Sequence, residues 1–183
     1  LTQLVESSEL DFDISYWKKI KAKPGKLFPD FPLSAPVKNH ILEFDATLTE
    51  SFLRSASSIY QANSNVLFLS ALALTLKEHS NTSSFTIDLE GHGREPFIDD
   101  VDISNTIGWF TSLYPVHLNL LSQFDIKNLD DTVIKELIIF VRNVLGSIPH
   151  NGLSYGILSY LKPEKEIKID SDVLFNYFLN IQF

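Results

Sequence analysis

The sequence predicts an α/β fold in which helices pack against a mixed β-sheet. Segments with the period of a strand alternate with segments that have the period of a helix, and no internal repeat interrupts them. The chain has 183 residues, of which 44% are apolar and 21% are charged. A chain of this size buries roughly 70% of its surface, which is enough for one core. We therefore expect a single domain.

The first elements are a helix, an irregular connection and a strand. Asp11–Ala22 has the apolar spacing of a short helix, for which Asp13 is the expected N-cap. Lys23–Pro36 holds four of the eight prolines, so we expect an extended connection there. Val37–Phe44 alternates as a strand does, and three of its side chains are expected to face inward: Val37, Ile41 and Leu42.

Two helices are predicted next. Thr49 is the expected N-cap of a helix whose apolar residues recur at helical spacing, namely Phe52, Leu53, Ala56, Ile59 and Tyr60. Asn65–Lys77 is apolar on nearly every side. A helix of that kind is buried in a core, so we expect the second helix to be largely covered.

Ser84–Glu90 is the clearest strand, because Phe85, Ile87 and Leu89 alternate with polar side chains. The Gly-His-Gly sequence at 91–93 is expected to end it sharply. Thr111–Leu121 is the second predicted strand, and Pro115 within it indicates an edge position or a bulge.

The remaining predicted elements are a helix and a strand. Asp131–Leu145 is strongly amphipathic, and Gly146 and Pro149 are expected to close this helix. Asp172–Phe178 is apolar and aromatic, as a final strand would be.

Charge and composition exclude several classes of protein. The chain carries 15 Lys and Arg against 23 Asp and Glu, a net charge of −8, which argues against nucleic-acid binding. It has no Cys, so a disulfide framework, a thiolate metal site and a cysteine nucleophile are all excluded. The longest apolar run, Val66–Leu76, is too short to span a bilayer. We expect a soluble, cytoplasmic domain.

One segment stands out chemically. Glu90-Gly91-His92-Gly93-Arg94-Glu95 places two carboxylates, an imidazole and a guanidinium directly after a strand. Catalytic groups are often mounted at the ends of strands in α/β sheets. From the pattern alone, a polar turn in which Glu90 pairs with Arg94 is the more common structure. The glycine spacing fits neither a phosphate loop nor a dinucleotide site, and His92 has no second His at metal-binding spacing.

Two other segments would each be structural if taken alone. Thr106–Val116 is mostly apolar and aromatic, and Ile148–Leu158 is a turn-rich loop that runs into a short element. The remaining histidines have no partner at a meaningful spacing, so no role is assigned to them.

Together these segments resemble the C-terminal half of an epimerization domain of a nonribosomal peptide synthetase. Glu90–Glu95 matches the family's E-G-H-G-R-E. Asp102–Val116 matches D-x-S-x-T-[VI]-G-W-F-T-x-x-[YF]-P-V, with Asn105 where the family usually has Arg. Pro149–Leu158 matches P-x-x-G-x-x-Y-G-I-L. The Phe-Asn-Tyr at 175–177 echoes the family's closing motif, from which residues 178–183 depart, and the Tyr-Trp at 16–17 resembles the start of this half.

The resemblance implies a fold and an incomplete site. Such domains belong to the condensation-domain superfamily and have two chloramphenicol-acetyltransferase-like lobes with a reaction channel between them. Residues 1–183 would form the C-terminal lobe. The family's H-H-x-x-x-D-G motif lies in the N-terminal lobe, and this chain has no His-His pair. We therefore expect the N-terminal lobe as a partner, and the chain alone to be inactive.

The resemblance also implies a reaction. An epimerization domain removes the α-proton of an aminoacyl or peptidyl thioester and returns a proton on the opposite face. It needs no cofactor of its own, because a peptidyl carrier protein within the synthetase modules delivers the substrate on 4'-phosphopantetheine. Glu90 would be the acid or base on one face, with Arg94 pairing with it or orienting it. Asn176 and Tyr177 would position the substrate or stabilise the enolate, and His92 and Glu95 would hold the turn.

Two alternatives remain, and the second of them belongs to a different functional class. One is a condensation domain, which joins two carrier-bound substrates through an amide bond. The other is a non-catalytic module that binds carrier protein, for which the altered sequence after Tyr177 and Asn105 in place of Arg leave room.

Overall fold

A three-stranded mixed sheet forms the centre of the protein. The computed structural model describes residues 10–23, 27–28, 36–80, 82–94, 102–161 and 167–177. The strands are β1 (Ser84–Gly91), β2 (Ser112–Asn119) and β3 (Leu174–Phe175), in the order β2-β1-β3. β1 pairs antiparallel with β2 and parallel with β3, which confirms the predicted mixed sheet. Pro115 lies on β2, which is an edge strand among the described residues, as its missing N–H requires.

Five helices surround the sheet within the described residues. They are α1 (Asp11–Lys21), α2 (Ala46–Tyr60, with a π-helical stretch at Ser51–Ala56), α3 (Ser64–Ser80), α4 (Asp131–Gly146) and α5 (Leu153–Gly156). Short 3-10 turns occupy Ile126–Asn128 and Pro149–Gly152, and a π-helical turn follows α5 at Ile157–Leu161. The sequence therefore predicts all of the longer helices, with ends within about one turn.

The core covers both faces of β1. Phe85, Ile87 and Leu89 are fully buried on one face, as predicted, but Thr86 on the other face is also only 1% exposed. On α1, Trp17 is fully buried and donates a 3.2 Å hydrogen bond from Nε1 to Ser154 Oγ of α5. β1 is thus the central strand of the sheet and is buried along most of its length, while Glu90 and Gly91 at its carboxyl end are only half-buried.

Two predicted N-caps are wrong. α1 begins after Leu10, and Asp13 is buried inside the helix with Oδ2 3.6 Å from His150 Nε2. α2 begins one turn earlier than predicted, because Asp45 Oδ1 accepts a 2.7 Å hydrogen bond from the Leu48 N–H. Thr49 therefore lies within the helix. An aspartate that satisfies an unpaired N–H of the first turn is the stronger cap at that end.

The predicted strand at Val37–Phe44 is also wrong. The backbone there is not part of the sheet, and Val37, Ile41 and Leu42 are 93%, 81% and 83% exposed instead of facing inward. Alternation marks a segment that can pair, but a strand forms only where a neighbouring strand accepts its hydrogen bonds. No described strand lies beside this segment.

The final strand is shorter than Asp172–Phe178, because β3 contains only Leu174 and Phe175 and Phe178 lies outside the described residues. Most of the predicted connection at Lys23–Pro36 also lies outside them. Within the described part of the chain, no single helix is both long and apolar enough to cross a membrane. α2 and α3, bent by 92° where they meet, pass that test as a pair on length and composition.

Candidate active site

A cavity of about 650 Å³ opens at the carboxyl end of β1. Its lining comes from β1 and the residues after it, the loop at 108–111, the amino end of α3, the turn at 149–152 and the residues after β3. The two sequence segments that would be structural if taken alone therefore meet the Glu90 segment in one place. This is also the sheet end at which α/β proteins commonly bind ligands.

Glu90 and Asn176 are in direct contact, although they lie 86 positions apart in the chain. The Asn176 side-chain amide donates a hydrogen bond to Glu90 Oε2. The contact exists because β3 runs parallel to β1, with Leu89 beside Phe175 in register, so the residues that follow in each strand emerge together. Asn176 thereby fixes the orientation of the Glu90 carboxylate, and both residues line the cavity.

Tyr177 also lines the cavity and is half-buried. Its ring packs on Phe68 of α3 with a centroid distance of 5.0 Å, and Phe68 packs on Phe52 of α2 at 4.5 Å. Both ring pairs are tilted by 40°, and aromatic pairs at such separations stabilise their mutual arrangement. The phenol is therefore held against the helices, with its ring forming part of the cavity wall.

Arg94 organises the loop beside the cavity. Its guanidinium donates to the carbonyl oxygens of Ile103, Thr106 and Gly108 at 2.6, 2.9 and 3.2 Å, and it lies 4.5 Å from the centre of the Phe110 ring. A guanidinium has five donors in a rigid fork, which suits this arrangement. Arg94 thus contacts the loop and lines the cavity, whereas the hydrogen-bond partner of Glu90 is Asn176.

The turn between β1 and Arg94 requires glycine at position 93. Gly93 has φ of +65°, and a Cβ there would overlap the carbonyl of Phe110. His92 Nδ1 accepts a 3.0 Å hydrogen bond from the Arg94 N–H, which agrees with a structural role in the turn. Glu95 lies outside the described residues.

The turn at 149–152 closes another side of the cavity. His150, Asn151 and Gly152 all have positive φ, of 47°, 48° and 87°. A Cβ on Gly152 would overlap the ring of Tyr114, so the turn lies flat on that tyrosine. Successive left-handed residues are energetically costly and are retained where the surroundings fix them. The turn places Asn151 at the cavity wall.

Sequence reasoning missed several residues of the lining. Asn63 and Asn65 flank the start of α3, and Asn151 follows His150 in the turn. Nothing in the periodicity marks them, because an asparagine beside a helix start or in a turn is ordinary. Trp109 is 86% exposed at the cavity rim, and Asn105, the residue that departs from the family motif, lies in the exposed part of the same loop.

The chain matches one protein family along nearly its whole length. The family profile described as Condensation domain matches residues 1–182. A linear gramicidin synthase of Brevibacillus parabrevis is 34% identical over 97% of this chain. Bacitracin synthase 2 of Bacillus licheniformis is 31% identical over 97% of it. The chain spans only 4% and 7% of the lengths of these two relatives.

Solved structures agree with this match. The epimerization domain from the third module of tyrocidine synthetase B superposes with a TM-score of 0.69 at 27% identity, covering 96% of this chain and 41% of that one. The first condensation domain of the calcium-dependent antibiotic synthetase gives a TM-score of 0.66 at 13% identity, covering 93% and 35%. The predicted chloramphenicol-acetyltransferase-like fold, with helices packed on a mixed sheet, is thus confirmed.

Proposed function

The chain belongs to the condensation-domain family, and we propose that it is part of an epimerization domain of a nonribosomal peptide synthetase. The proposed reaction converts a carrier-bound L-aminoacyl or L-peptidyl thioester into the D form by removing and returning the α-proton. The contact between Glu90 and Asn176 carries the proposal, because it unites two separate motifs on one cavity wall.

Removal of the α-proton requires a base close to the α-carbon. A thioester acidifies that carbon, but proton removal still needs a positioned carboxylate or imidazole. Glu90 lies at a strand end, half-buried and lining the cavity, and one of its oxygens is fixed by Asn176. In this proposal Glu90 takes or gives the proton on one face of the α-carbon. A His from the N-terminal lobe acts on the other face.

The second requirement is stabilisation of the enolate oxygen that forms when the α-proton leaves. Hydrogen-bond donors aimed at the developing charge do this in a site that excludes water. We assign this role to Tyr177, whose ring is held on Phe68 beside the Glu90 carboxylate. Asn176 acts as a positioning residue for Glu90. Arg94 positions the loop that contains Trp109 and Phe110.

The proposal also names partners. We infer from the motifs at Glu90–Glu95 and Asp102–Val116 that residues 1–183 form the C-terminal lobe of a two-lobed domain. The chain covers 41% of the solved epimerization domain, which leaves room for a second lobe. The N-terminal lobe would form the opposite wall of the cavity. The domain would bring no cofactor of its own, and a cytoplasmic peptidyl carrier protein would deliver the thioester on its 4'-phosphopantetheine arm.

The test is the identity of the product. The full-length protein that contains this chain is supplied with carrier loaded with an L-aminoacyl or L-peptidyl thioester, and the released acyl group is analysed by chiral chromatography. We expect a mixture of L and D forms at the α-carbon. Product that remains entirely L, with carrier still bound, would favour the non-catalytic module and contradict the proposal.

Condensation is the second candidate, because the family profile that matches the chain is described as Condensation domain. It predicts a different product. When donor and acceptor carriers are both loaded, a condensation domain yields a dipeptidyl thioester on the acceptor. Formation of that product without D epimer would replace the epimerization proposal with this one.

A further inference from the structure

Four asparagines line the cavity around Glu90. Asn63 and Asn65 come from the start of α3, Asn151 comes from the turn at 149–152, and Asn176 follows β3. These residues come from three separate parts of the chain, so the local sequence of one element does not explain their convergence. Each side chain offers one carbonyl acceptor and two N–H donors.

Most of the donors and acceptors of these four side chains form no hydrogen bond within the described part of the protein. Asn63 accepts a 2.9 Å hydrogen bond from the Val66 N–H through Oδ1, which leaves its NH₂ group, and Asn176 donates one N–H to Glu90. In the described part of the chain, Asn65 and Asn151 make no side-chain hydrogen bond. The wall therefore presents neutral donors and acceptors to whatever enters the cavity.

The charged groups of the same wall are already engaged. Glu90 is the only carboxylate among the described residues that line the cavity, and it is the proposed base. The Arg94 guanidinium donates to three loop carbonyls. The described wall thus contains no second carboxylate that could pair with a positive charge on the substrate.

This arrangement distinguishes two kinds of carrier-bound substrate. An aminoacyl thioester has a free α-amino group, which carries a positive charge on a substantial fraction of the molecules near neutral pH. A charge removed from water without a partner is costly. In a peptidyl thioester the same nitrogen belongs to a neutral amide, and the preceding residue adds a carbonyl and a further N–H. Those groups can donate hydrogen bonds to asparagine side chains and accept hydrogen bonds from them.

We propose that the site acts on a peptidyl thioester in preference to an aminoacyl thioester, with the asparagines of this wall binding the amide groups of the peptide. This inference rests on the proposed epimerization function and names its substrate class. Asn65 and Asn151 are the residues assigned to peptide binding, since Asn63 also caps α3 and Asn176 orients Glu90.

The test compares two substrates on the same carrier. The full-length protein receives carrier loaded either with L-phenylalanyl thioester or with L-alanyl-L-phenylalanyl thioester, and the initial rate of D-phenylalanyl formation is measured for each. The phosphopantetheine arm is identical in both, so its own amides do not affect the ratio. We expect the dipeptidyl substrate to react at least tenfold faster at limiting concentration.

A charge substitution sharpens the result. Asn65→Asp keeps the size of the side chain and places a carboxylate at a helix start, where an acidic residue is favourable. It should lower the dipeptidyl-to-aminoacyl rate ratio by roughly tenfold, because the carboxylate pairs with the α-ammonium. Asn143→Asp on the exposed side of α4 is the control and should leave the ratio unchanged.

The outcomes separate this inference from the function on which it rests. If neither substrate is epimerized, the proposed function fails. If both are epimerized at equal rates, or the aminoacyl substrate is faster, epimerization stands and the peptidyl preference is wrong. If Asn65→Asp and Asn143→Asp have the same effect on the rate ratio, the asparagines that line the cavity do not determine the preference for a peptidyl substrate.

Discussion

The two ends of β1 carry polar residues in opposite circumstances. Near its amino end, the buried His117 of β2 contacts Thr86 Oγ1 through Nδ1 at 3.1 Å and Ser84 Oγ through Nε2 at 3.3 Å. At its carboxyl end, Glu90 is half-buried at an open cavity, and its partner Asn176 is exposed.

This difference separates polar residues that stabilise the fold from polar residues that are available for a reaction. A buried group whose partners all lie inside the protein contributes to stability, because removing one partner leaves the other unsatisfied. A carboxylate that is oriented by one partner at a cavity is available to a substrate. We therefore expect substitutions at the amino end of β1 to affect folding and those at the carboxyl end to affect catalysis.

We expect the largest effects from one substitution at each end of β1, with activity lost at the carboxyl end and stability lost at the amino end. Glu90→Gln should lower the rate of D-product formation by roughly 10²- to 10⁴-fold, the usual contribution of a general base. Its free energy of unfolding should be close to that of the wild type, because glutamine can still accept the hydrogen bond from Asn176. Thr86→Val should show the reverse, with about 1–3 kcal/mol of stability lost and the activity of the folded protein retained.

Both variants are compared by urea denaturation and by chiral product analysis in the full-length protein. Glu136→Gln, an exposed substitution on α4, serves as the matched carboxylate control. A Thr86→Val protein that folds normally but makes no D product would remove the distinction between the two ends.

The next effect is a pH dependence of stability at the amino end. Burial, assisted by the nearby charge of Lys23, lowers the pKa of His117 from 6.5 to about 4. Below pH 6.5 the unfolded chain binds a proton that the folded protein does not, so stability falls as the pH drops toward 4. The loss should reach about 3 kcal/mol across that window, with full stability retained above it.

His117→Gln isolates this contribution in unfolding experiments at several pH values. The difference in the free energy of unfolding between wild type and variant should vary with pH between about 4 and 6.5 and be constant above pH 7. Asp88 acts in the opposite direction, because burial raises the pKa of its carboxyl against the hydrogen bond from Ser171. Its contribution is present in the wild type and in the variant, so it cancels in that difference. A pH-independent difference would show that His117 is not held neutral.

An intermediate effect is expected at Arg94, which connects the strand end to the loop. Arg94→Lys keeps the charge but loses the fork that holds three carbonyls. The loop at the cavity rim should shift, and D-product formation should fall by roughly 10- to 100-fold. The part of the tryptophan fluorescence that is lost in Trp109→Phe, and therefore belongs to Trp109 at the rim, should change in the same variant. An unchanged rate with changed fluorescence would limit Arg94 to shaping the loop.

The smallest expected effect concerns Tyr177. Tyr177→Phe removes one hydroxyl and keeps the ring on Phe68. Loss of one hydrogen bond to a developing oxyanion should lower kcat by about tenfold with KM little changed. A rise in KM without a change in kcat would show that the hydroxyl binds the substrate before reaction and does not stabilise the enolate.

The sequence predicts most of the fold because its helices and strands have strong periods. Ser84–Glu90 and Asp131–Leu145 are found nearly where the alternation and the amphipathic pattern place them. Val37–Phe44 fails for a physical reason. Alternation specifies which face can be buried, but it does not supply the neighbouring strand, and no described strand pairs with this segment.

The site is predictable only in part for a similar reason. Glu90 and Tyr177 could be named from motif wording, and the structure places both at one cavity. Asn65 and Asn151 could not, because their convergence depends on how α3 and the turn at 149–152 pack beside β1. A local pattern does not encode that packing. The motif also predicts Arg94 as a site residue, but its three carbonyl contacts depend on how the chain folds.

In the proposed reaction, Glu90 at the open end of β1 exchanges the α-proton of a carrier-bound thioester. Incubation of the full-length protein with loaded carrier in deuterated buffer, followed by mass spectrometry of the released acyl group, measures that step itself. We predict that the wild type incorporates one deuterium at the α-carbon and that Glu90→Gln incorporates almost none in the same time. Incorporation by Glu90→Gln at the wild-type rate would contradict the claim.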